Sequence, residues 1–157
     1  MPAVLAFTGP GRRLLLALKY GNTKPVVAAL AGAMARRARR FDVDVVTWAP
    51  TSTARRRDRG YDQAEVLARA VAWRLGVPCR RLLTRVGDDA RPQTGRTREE
   101  RLDGPRFAAW GSRPVRARTV LVVDDVVTTG ATLRAAEAAL KAAGAGAVLA
   151  VAAAATP

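Results

Sequence analysis

The sequence contains no histidine and only one cysteine, Cys79. Without histidine the chain cannot build a Ser-His-Asp or Cys-His hydrolytic site, and histidine general-base chemistry is excluded. A single cysteine forms no internal disulfide and, with histidine missing, cannot complete a structural zinc site. Any metal must therefore be held by oxygen ligands, which favours magnesium.

Long apolar runs and aromatic residues are also scarce. No apolar stretch approaches the roughly 20 residues that cross a bilayer, and the N-terminus shows no secretory signal. Aromatic residues make up 5% of a chain of 157 residues, so its core must be packed largely with Ala, Val and Leu. We expect a cytoplasmic protein without a membrane segment, folded as a single domain over residues 1–157.

Negative charge is sparse as well. The chain carries 27 basic and 13 acidic residues, a formal net charge of +14, and only three of the basic residues are lysines. Such a surplus is typical of proteins that bind nucleic acids, and the arginine-rich segments 36–40 and 55–59 could serve that purpose. A pocket for a polyphosphate, or simple solvation of an Ala- and Arg-rich surface, explains it equally well.

The most informative segment follows Thr119. The apolar run 120–123 is typical of a strand buried on both faces of a parallel sheet, and helical spacing begins at Thr132. Between them stand Asp124 and Asp125, followed by a small and hydroxyl-bearing group: Thr128, Thr129, Gly130, Ala131 and Thr132. Free backbone N–H groups at such a helix start attract an anion, and the two acids can accept from a diol. The segment therefore predicts a ribose 5-phosphate pocket, although a plain turn and helix cap would use the same residue types.

The rest of the chain predicts alternating helices and strands. Helices are expected at residues 12–20, 25–40, 63–75 and 131–143, and strands at residues 43–48, 77–83, 119–123 and 147–151. Residues 85–106 are rich in charge and glycine without a usable period, which predicts a long flexible loop. The alternation indicates an α/β fold with a mostly parallel central sheet flanked by helices. Ligands in such folds bind beyond the carboxyl ends of the strands.

A second polar segment, residues 55–65, follows the strand at residues 43–48. It combines four arginines with Asp62 and Glu65, which are spaced as a capping box at the start of the helix. The bland interpretation is a solvated basic loop that leads into a capped helix. Clustered arginines at a sheet edge that binds phosphate also suit pyrophosphate, because guanidinium groups match phosphate geometry.

These segments together resemble the ComF family, the competence-associated, GntX-like branch of type I phosphoribosyltransferases. The resemblance rests on residues 18–21 (Leu-Lys-Tyr-Gly), the block from Arg55 to Glu65, residues 93–95 (Gln-Thr-Gly), and the motif of residues 122–132 that binds 5-phosphoribosyl-1-pyrophosphate (PRPP). Family members often begin with a cysteine-rich zinc finger, which we do not expect here. The resemblance implies the type I phosphoribosyltransferase fold with a long flexible loop.

The resemblance also implies roles for particular residues. Asp124 and Asp125 would bind the ribose hydroxyls and stabilise positive charge on the sugar ring, with Mg²⁺ nearby and few direct protein ligands. Thr128, Thr129, Gly130, Ala131 and Thr132 would bind the 5-phosphate of PRPP. The pyrophosphate would be bound by Thr51, Ser52, Thr53, Arg57 and Arg59. A lid would close over the site and include Arg85, Gln93 and Arg101.

Three functions are compatible with these residues. The first is a phosphoribosyltransferase that moves phosphoribosyl from PRPP to an unidentified acceptor and releases pyrophosphate. The second is a non-catalytic protein that binds PRPP or a nucleoside monophosphate and assists competence and DNA uptake. The third is a nucleic-acid-binding module on a vestigial fold, which the intact acids and Thr-Thr-Gly disfavour. A homodimer would fit the family, and the sequence does not separate the first two functions.

Overall fold

A computed structural model describes residues 3–6, 24–52, 60–87, 105–110 and 115–155. Within these ranges the chain alternates between strands and helices, and each element is named here in chain order. The elements are β1 (Ala3–Ala6), α1 (Lys24–Ala38), β2 (Val45–Trp48), α2 (Gln63–Leu75), β3 (Leu83–Val86), β4 (Arg106–Ala109), β5 (Thr119–Val127), α3 (Ala131–Ala142) and β6 (Ala147–Ala155). Across the same ranges, no helix combines the length and the apolar character that a membrane span requires.

Four strands form a parallel sheet in the order β1-β6-β5-β2. The chain reaches each parallel neighbour through a crossover, and this confirms the predicted α/β fold with helices flanking a parallel sheet. Beyond β2, Cys79 pairs with Val46 as an isolated parallel bridge. Burial raises the pKa of the Cys79 thiol to about 11, which favours the neutral thiol and agrees with a small hydrophobic side chain.

Among the described residues the core forms two apolar clusters, one on each face of the sheet. On one face, α1 and α2 cover the inward side chains of β2, β5 and β6, with Met34 and Leu67 fully buried. On the other face, α3 packs Leu133 and Leu140 against β5, together with residues from β3. Because both faces are covered, β2 is buried at all four positions, as expected for a strand inside a parallel sheet.

Helix α2 shows how local sequence fixes an element. It runs over the predicted residues, begins after the Asp62 cap and ends at Gly76, whose φ of 72° is the left-handed conformation that glycine adopts freely. The Glu65 carboxylate pairs with Arg69 on the exposed side of the helix, at 2.8 Å. The predicted cap at Asp62 is therefore confirmed.

The segment expected to be a long loop differs from the prediction at both ends. Arg85 and Val86 belong to β3, Arg106 begins β4, and these two strands pair in an antiparallel hairpin. The second strand, predicted at residues 77–83, is reduced to the parallel bridge of Cys79 with Val46 beside β2, and its last residue, Leu83, begins β3. Strand β1 was not predicted at all. Four-residue strands carry too few alternations to stand out, and the partner of β3 is about 20 positions away along the chain. The predicted helix at residues 12–20 lies outside the described residues.

Candidate functional site

Strand β5 continues past the two acids. The prediction ended this strand at Val123, but Asp124 pairs with Ala152 and Val126 with Ala154 of β6. Asp124 and Asp125 therefore lie on a paired strand and not in a loop. Their backbone positions are fixed by the same ladder that holds the core.

The packing of β5 changes at these acids. Leu121 and Val123 pack on the α1/α2 face, and Val120 and Val122 on the α3 face, as strand alternation requires. Beyond the acids the order reverses, so that the even-numbered Val126 packs with the α1/α2 cluster. Successive side chains of a regular strand point to opposite faces. Asp124 and Asp125 stand where this change occurs, and both line one cleft.

Two local hydrogen bonds accompany this reversal. The N–H of Asp125 donates to Oδ1 of Asp124, and the N–H of Val126 donates to Oδ1 of Asp125, each at 2.8 Å. Each carboxylate thus accepts from the next residue's backbone. A side-chain hydrogen bond also links Asp124 to Asp125, so the two carboxyl groups form one acceptor cluster of the kind that a sugar hydroxyl can donate to.

Burial gives Asp124 unusual electrostatics. Its side chain is 7% exposed, and removal from water, with the nearby charge of Asp125, raises the pKa of Asp124 well above its ordinary value. A concentration of carboxylates in a half-enclosed cleft favours a cation or a positively charged reaction centre.

Helix α3 begins beside the acids without a side-chain cap. Its N-cap is Gly130, with φ of 76°, and no side chain among the described residues accepts a hydrogen bond in the capping position. Thr129 makes the turn before it, with Oγ1 accepting from the N–H of Ala131 at 3.3 Å and its carbonyl accepting from Arg134 at 2.9 Å. A helix start whose N-cap residue has no side chain, and which lacks acidic residues in its first turn, is the kind of helix end at which anions such as phosphate bind.

The second wall comes from the segment after β2 and from the start of α2. Asp62 is 5% exposed. Its Oδ1 accepts from the N–H of Ala64 at 3.1 Å, and its Oδ2 accepts from the N–H of Thr51 at 3.0 Å. Burial raises the pKa of Asp62, the backbone donors oppose that shift, and the charge of Asp125 adds to it. Sequence analysis identified Asp62 only as a helix cap and missed its place in the cleft.

Together the two walls enclose a cleft of about 370 Å³. It is lined by predicted site residues from both walls and from β3: Thr51, Arg85, Asp124, Asp125, Thr128 and Thr132. Thr129, Gly130 and Ala131 lie in the same β5–α3 turn, and Ser52 follows Thr51. Five further predicted site residues lie outside the described residues: Thr53, Arg57, Arg59, Gln93 and Arg101.

Known structures share this fold. The allosteric regulatory enzyme of purine biosynthesis matches with a TM-score of 0.53 and 25% identity, over 82% of this chain and 26% of the enzyme. A purine phosphoribosyltransferase from Pyrococcus horikoshii matches with a TM-score of 0.54 and 20% identity, over 83% and 72% of the two chains. APRTase from Giardia lamblia, solved with 9-deazaadenine, matches with a TM-score of 0.56 and 20% identity, over 83% of this chain and 67% of that enzyme.

The chain thus spans about a quarter of the purine-biosynthesis enzyme. No relative of matching sequence was found among curated proteins. The family model named phosphoribosyl transferase domain matches residues 62–157, which is more than half of the chain and includes Asp62, both β5 acids and the α3 start. The chain therefore belongs to the phosphoribosyl transferase domain family.

Proposed function

We propose that the cleft binds PRPP and transfers its phosphoribosyl group to an acceptor. The observation that carries the proposal is an uncapped helix start directly beside two strand-borne carboxylates in one cleft. The residues from Thr128 to Thr132 would hold the 5-phosphate, since backbone donors and the helix dipole both favour an anion there. Asp124 and Asp125 would accept from the ribose hydroxyls.

The pyrophosphate would lie toward the wall formed by Thr51 and Ser52. Cleft carboxylates repel a bare polyphosphate, so the donor must arrive with cations. Among the residues that the structure describes, no three His, Cys, Asp or Glu side chains are grouped closely enough to hold a metal ion alone. That fits Mg²⁺ held mainly by substrate phosphates with Asp124 or Asp125 nearby, a common arrangement for this ion. Magnesium would supply neutralisation of the leaving pyrophosphate.

The chain's own contribution to the reaction would be positioning and electrostatics. The acceptor's lone pair forms a bond to the ribose anomeric carbon, and the bond from that carbon to pyrophosphate oxygen breaks, with its electrons leaving on pyrophosphate. Positive charge develops on the ring, and Asp124 and Asp125 stabilise it more strongly in a cleft than in water. No covalent nucleophile is needed, so the absence of histidine is no obstacle.

The test combines binding and turnover. Titration calorimetry should detect PRPP with Mg²⁺ and ribose 5-phosphate, and incubation with PRPP and a panel of nucleobases and amines should release pyrophosphate only with the true acceptor. Asp124→Asn should abolish that release. The variant Asp44→Asn is the matched control. Asp44 also accepts a hydrogen bond from a backbone N–H, that of Thr119 at 2.7 Å, but it does not line the cleft. No binding of either sugar phosphate to the wild-type protein would refute the proposal.

The finer family assignment also stays a proposal. The block from Arg55 to Glu65 supports membership of the ComF family, and with it a cytoplasmic, single-domain and homodimeric protein. A non-catalytic role in competence and DNA uptake is the alternative function. It predicts that PRPP or a nucleoside monophosphate binds tightly but that no acceptor in the panel causes pyrophosphate release.

A surface away from the cleft supports an added role in binding nucleic acid. Arg36, Arg39 and Arg74 lie close together on this surface. A Cβ atom built on Gly32 would be 3.6 Å from Arg74 Nε and 3.7 Å from Arg36 Nη1, and Arg39 donates a hydrogen bond to the carbonyl of Arg74. Within residues 24–52 and 60–87 none of these guanidinium groups pairs with a carboxylate. Trp73 is 79% exposed beside them, and exposed aromatics flanked by cations stack nucleobases.

Binding of a fluorescent dT oligonucleotide tests this role. Replacing Arg36 and Arg39 with Gln should weaken the affinity for the oligonucleotide and lower its salt dependence. With fewer protein cations against the phosphates, fewer counterions are released from the oligonucleotide on binding. The matched control replaces Arg116 and Arg118, which are exposed on another part of the chain. Equal losses in both double variants would indicate a nonspecific charge effect and would refute a site on this surface.

A further inference from the structure

Asp62 does more than a helix cap requires. A cap needs one acceptor oxygen, and Ser, Thr or Asn supply it as well as Asp does. Asp62 uses both carboxylate oxygens, one for Ala64 at the start of α2 and the other for Thr51, which lies 11 positions earlier in the chain. The second bond ties the segment after β2 to the helix across the floor of the cleft.

This second bond is maintained under unfavourable conditions. Asp62 is almost fully buried, and the carboxylate of Asp125 in the same cleft repels it. A buried carboxylate that gained nothing from its charge would be replaced readily by a neutral cap. An asparagine cannot substitute fully, because it has one carbonyl oxygen and its amide group would face one of the two N–H donors.

We propose that Asp62 is a positioning residue for the pyrophosphate half of the cleft. This inference rests on the proposed function and deepens it. By holding the N–H of Thr51, the carboxylate fixes the backbone of the segment from Thr51 to Ser52 relative to α2. The 5-phosphate half is built on β5 and α3 and makes no use of this bond. Asp62 therefore affects the two halves of the ligand differently.

Two ligands separate the halves. Ribose 5-phosphate occupies the β5–α3 side alone, whereas PRPP with Mg²⁺ also occupies the Thr51 side, so the ratio of their dissociation constants isolates the pyrophosphate contribution. The informative variant is Asp62→Ser. Serine keeps an acceptor for Ala64, but its single, shorter side chain cannot also reach Thr51.

The expected result is selective. In Asp62→Ser, calorimetry should show PRPP affinity lowered about tenfold, as loss of a hydrogen bond to a charged acceptor would give, with ribose 5-phosphate affinity within about twofold of wild type. Asp44→Ser is the matched control, because it removes another carboxylate-to-backbone bond, to Thr119. It should leave both affinities unchanged.

Other outcomes overturn the inference. If Asp62→Ser weakens both ligands equally, or neither, Asp62 acts only as a structural cap. Should that variant fail to fold by circular dichroism, Asp62→Asn decides on the same ratio, because it must leave one of the two donors without an oxygen. Wild-type protein that binds neither ligand would instead sink the proposed function, and this inference with it.

Discussion

The two helices that begin at the cleft start in opposite ways. Helix α2 is capped by its own chain, with the Asp62 carboxylate buried against the first-turn N–H of Ala64. Helix α3 begins at Gly130 in a left-handed conformation, with no capping side chain among the described residues. The start of α2 is neutralised by its own carboxylate, whereas the start of α3 has only the 3.3 Å contact from the N–H of Ala131 to Thr129 and keeps the positive end of its dipole uncompensated by an acidic side chain.

This difference shows how one cleft can combine anion binding with carboxylates. A negative side chain already occupies the α2 start, so that helix cannot attract a phosphate. The α3 start carries a glycine, which brings neither charge nor bulk. The two ends of the cleft therefore suit different ligand groups. We expect a phosphate at the start of α3, and ligand oxygens bridged by a cation beside Asp124 and Asp125.

Removing the α2 cap should have the largest effect. We expect Asp62→Ala to lower the free energy of unfolding by about 2–4 kcal/mol, because it deletes a helix cap and leaves the N–H of Thr51 without an acceptor in a part-buried site. Urea denaturation measures the change. Asp44→Ala is the control and should lose about 1 kcal/mol or less, since its bond is exposed. Equal losses would contradict a special role for the α2 start.

An acidic N-cap on α3, like the one on α2, should remove the difference between the two helix starts and weaken phosphate binding. We expect Gly130→Asp to weaken ribose 5-phosphate binding roughly 30-fold, because a carboxylate would compete with the phosphate for the same donors and repel it. Gly130→Asn is the matched control, since Asn also tolerates a positive φ but is neutral. Calorimetry that found no difference between the two variants would argue against a phosphate at this helix.

Removing the carboxylate of Asp124, which lies between the starts of α2 and α3, should increase the free energy of unfolding. The pKa of Asp124 is raised in the folded state, so the folded protein binds its proton more tightly than the unfolded chain does. The contribution of Asp124 to the free energy of unfolding is therefore most favourable below the pKa of the unfolded chain, about 4, and it is lost as the pH rises through the raised pKa of the folded protein. We expect Asp124→Asn to be more stable than wild type by on the order of 1 kcal/mol or more at neutral pH in magnesium-free buffer.

That gain should shrink as the pH falls and disappear well below about pH 4, where the wild-type carboxyl is protonated in both states. Asparagine can still accept from the N–H of Asp125 through its carbonyl oxygen, so the local hydrogen bond is not the variable. Thermal unfolding across the pH range is the measurement. A stability difference that does not change with pH would mean that packing, and not charge, distinguishes the variant.

The smallest effect should come from the turn that precedes α3. Thr129→Ala removes an exposed, 3.3 Å hydrogen bond to the N–H of Ala131. We expect a loss of about 0.5 kcal/mol in unfolding free energy and about a twofold loss in ribose 5-phosphate affinity. Thr129→Ser keeps the hydroxyl and should restore both values. A tenfold loss of affinity would show that this hydroxyl contacts the phosphate directly.

Sequence reasoning reached the parts of the molecule that depend on local pattern. The boundaries of α2 and the start of α3 follow from caps, glycines and helical spacing, and the valines before Asp124 identify a buried parallel strand. It failed where pairing partners are distant. The β3–β4 hairpin joins segments about 20 residues apart, and neither strand is long enough to signal its period.

The candidate site was predictable in composition but not in geometry. Consecutive acids before Thr-Thr-Gly predict a sugar phosphate motif, yet strand alternation alone would place the side chains of Asp124 and Asp125 on opposite faces of the sheet. Only the structure shows the reversal of packing beyond them. The second bond of Asp62 was equally hidden, because it depends on the path of residues 49–52 and not on a spacing within the helix.

The extension of β5 through both acids has a consequence for how this scaffold can diversify. The acids that we propose bind the sugar are part of the β5–β6 ladder, so moving them would require separating two strands of the central sheet. The β3–β4 hairpin is a separate two-stranded sheet. Chimaeras that graft this hairpin from relatives should consequently keep the proposed sugar-binding acids in place while changing the part of the cleft wall that Arg85 supplies.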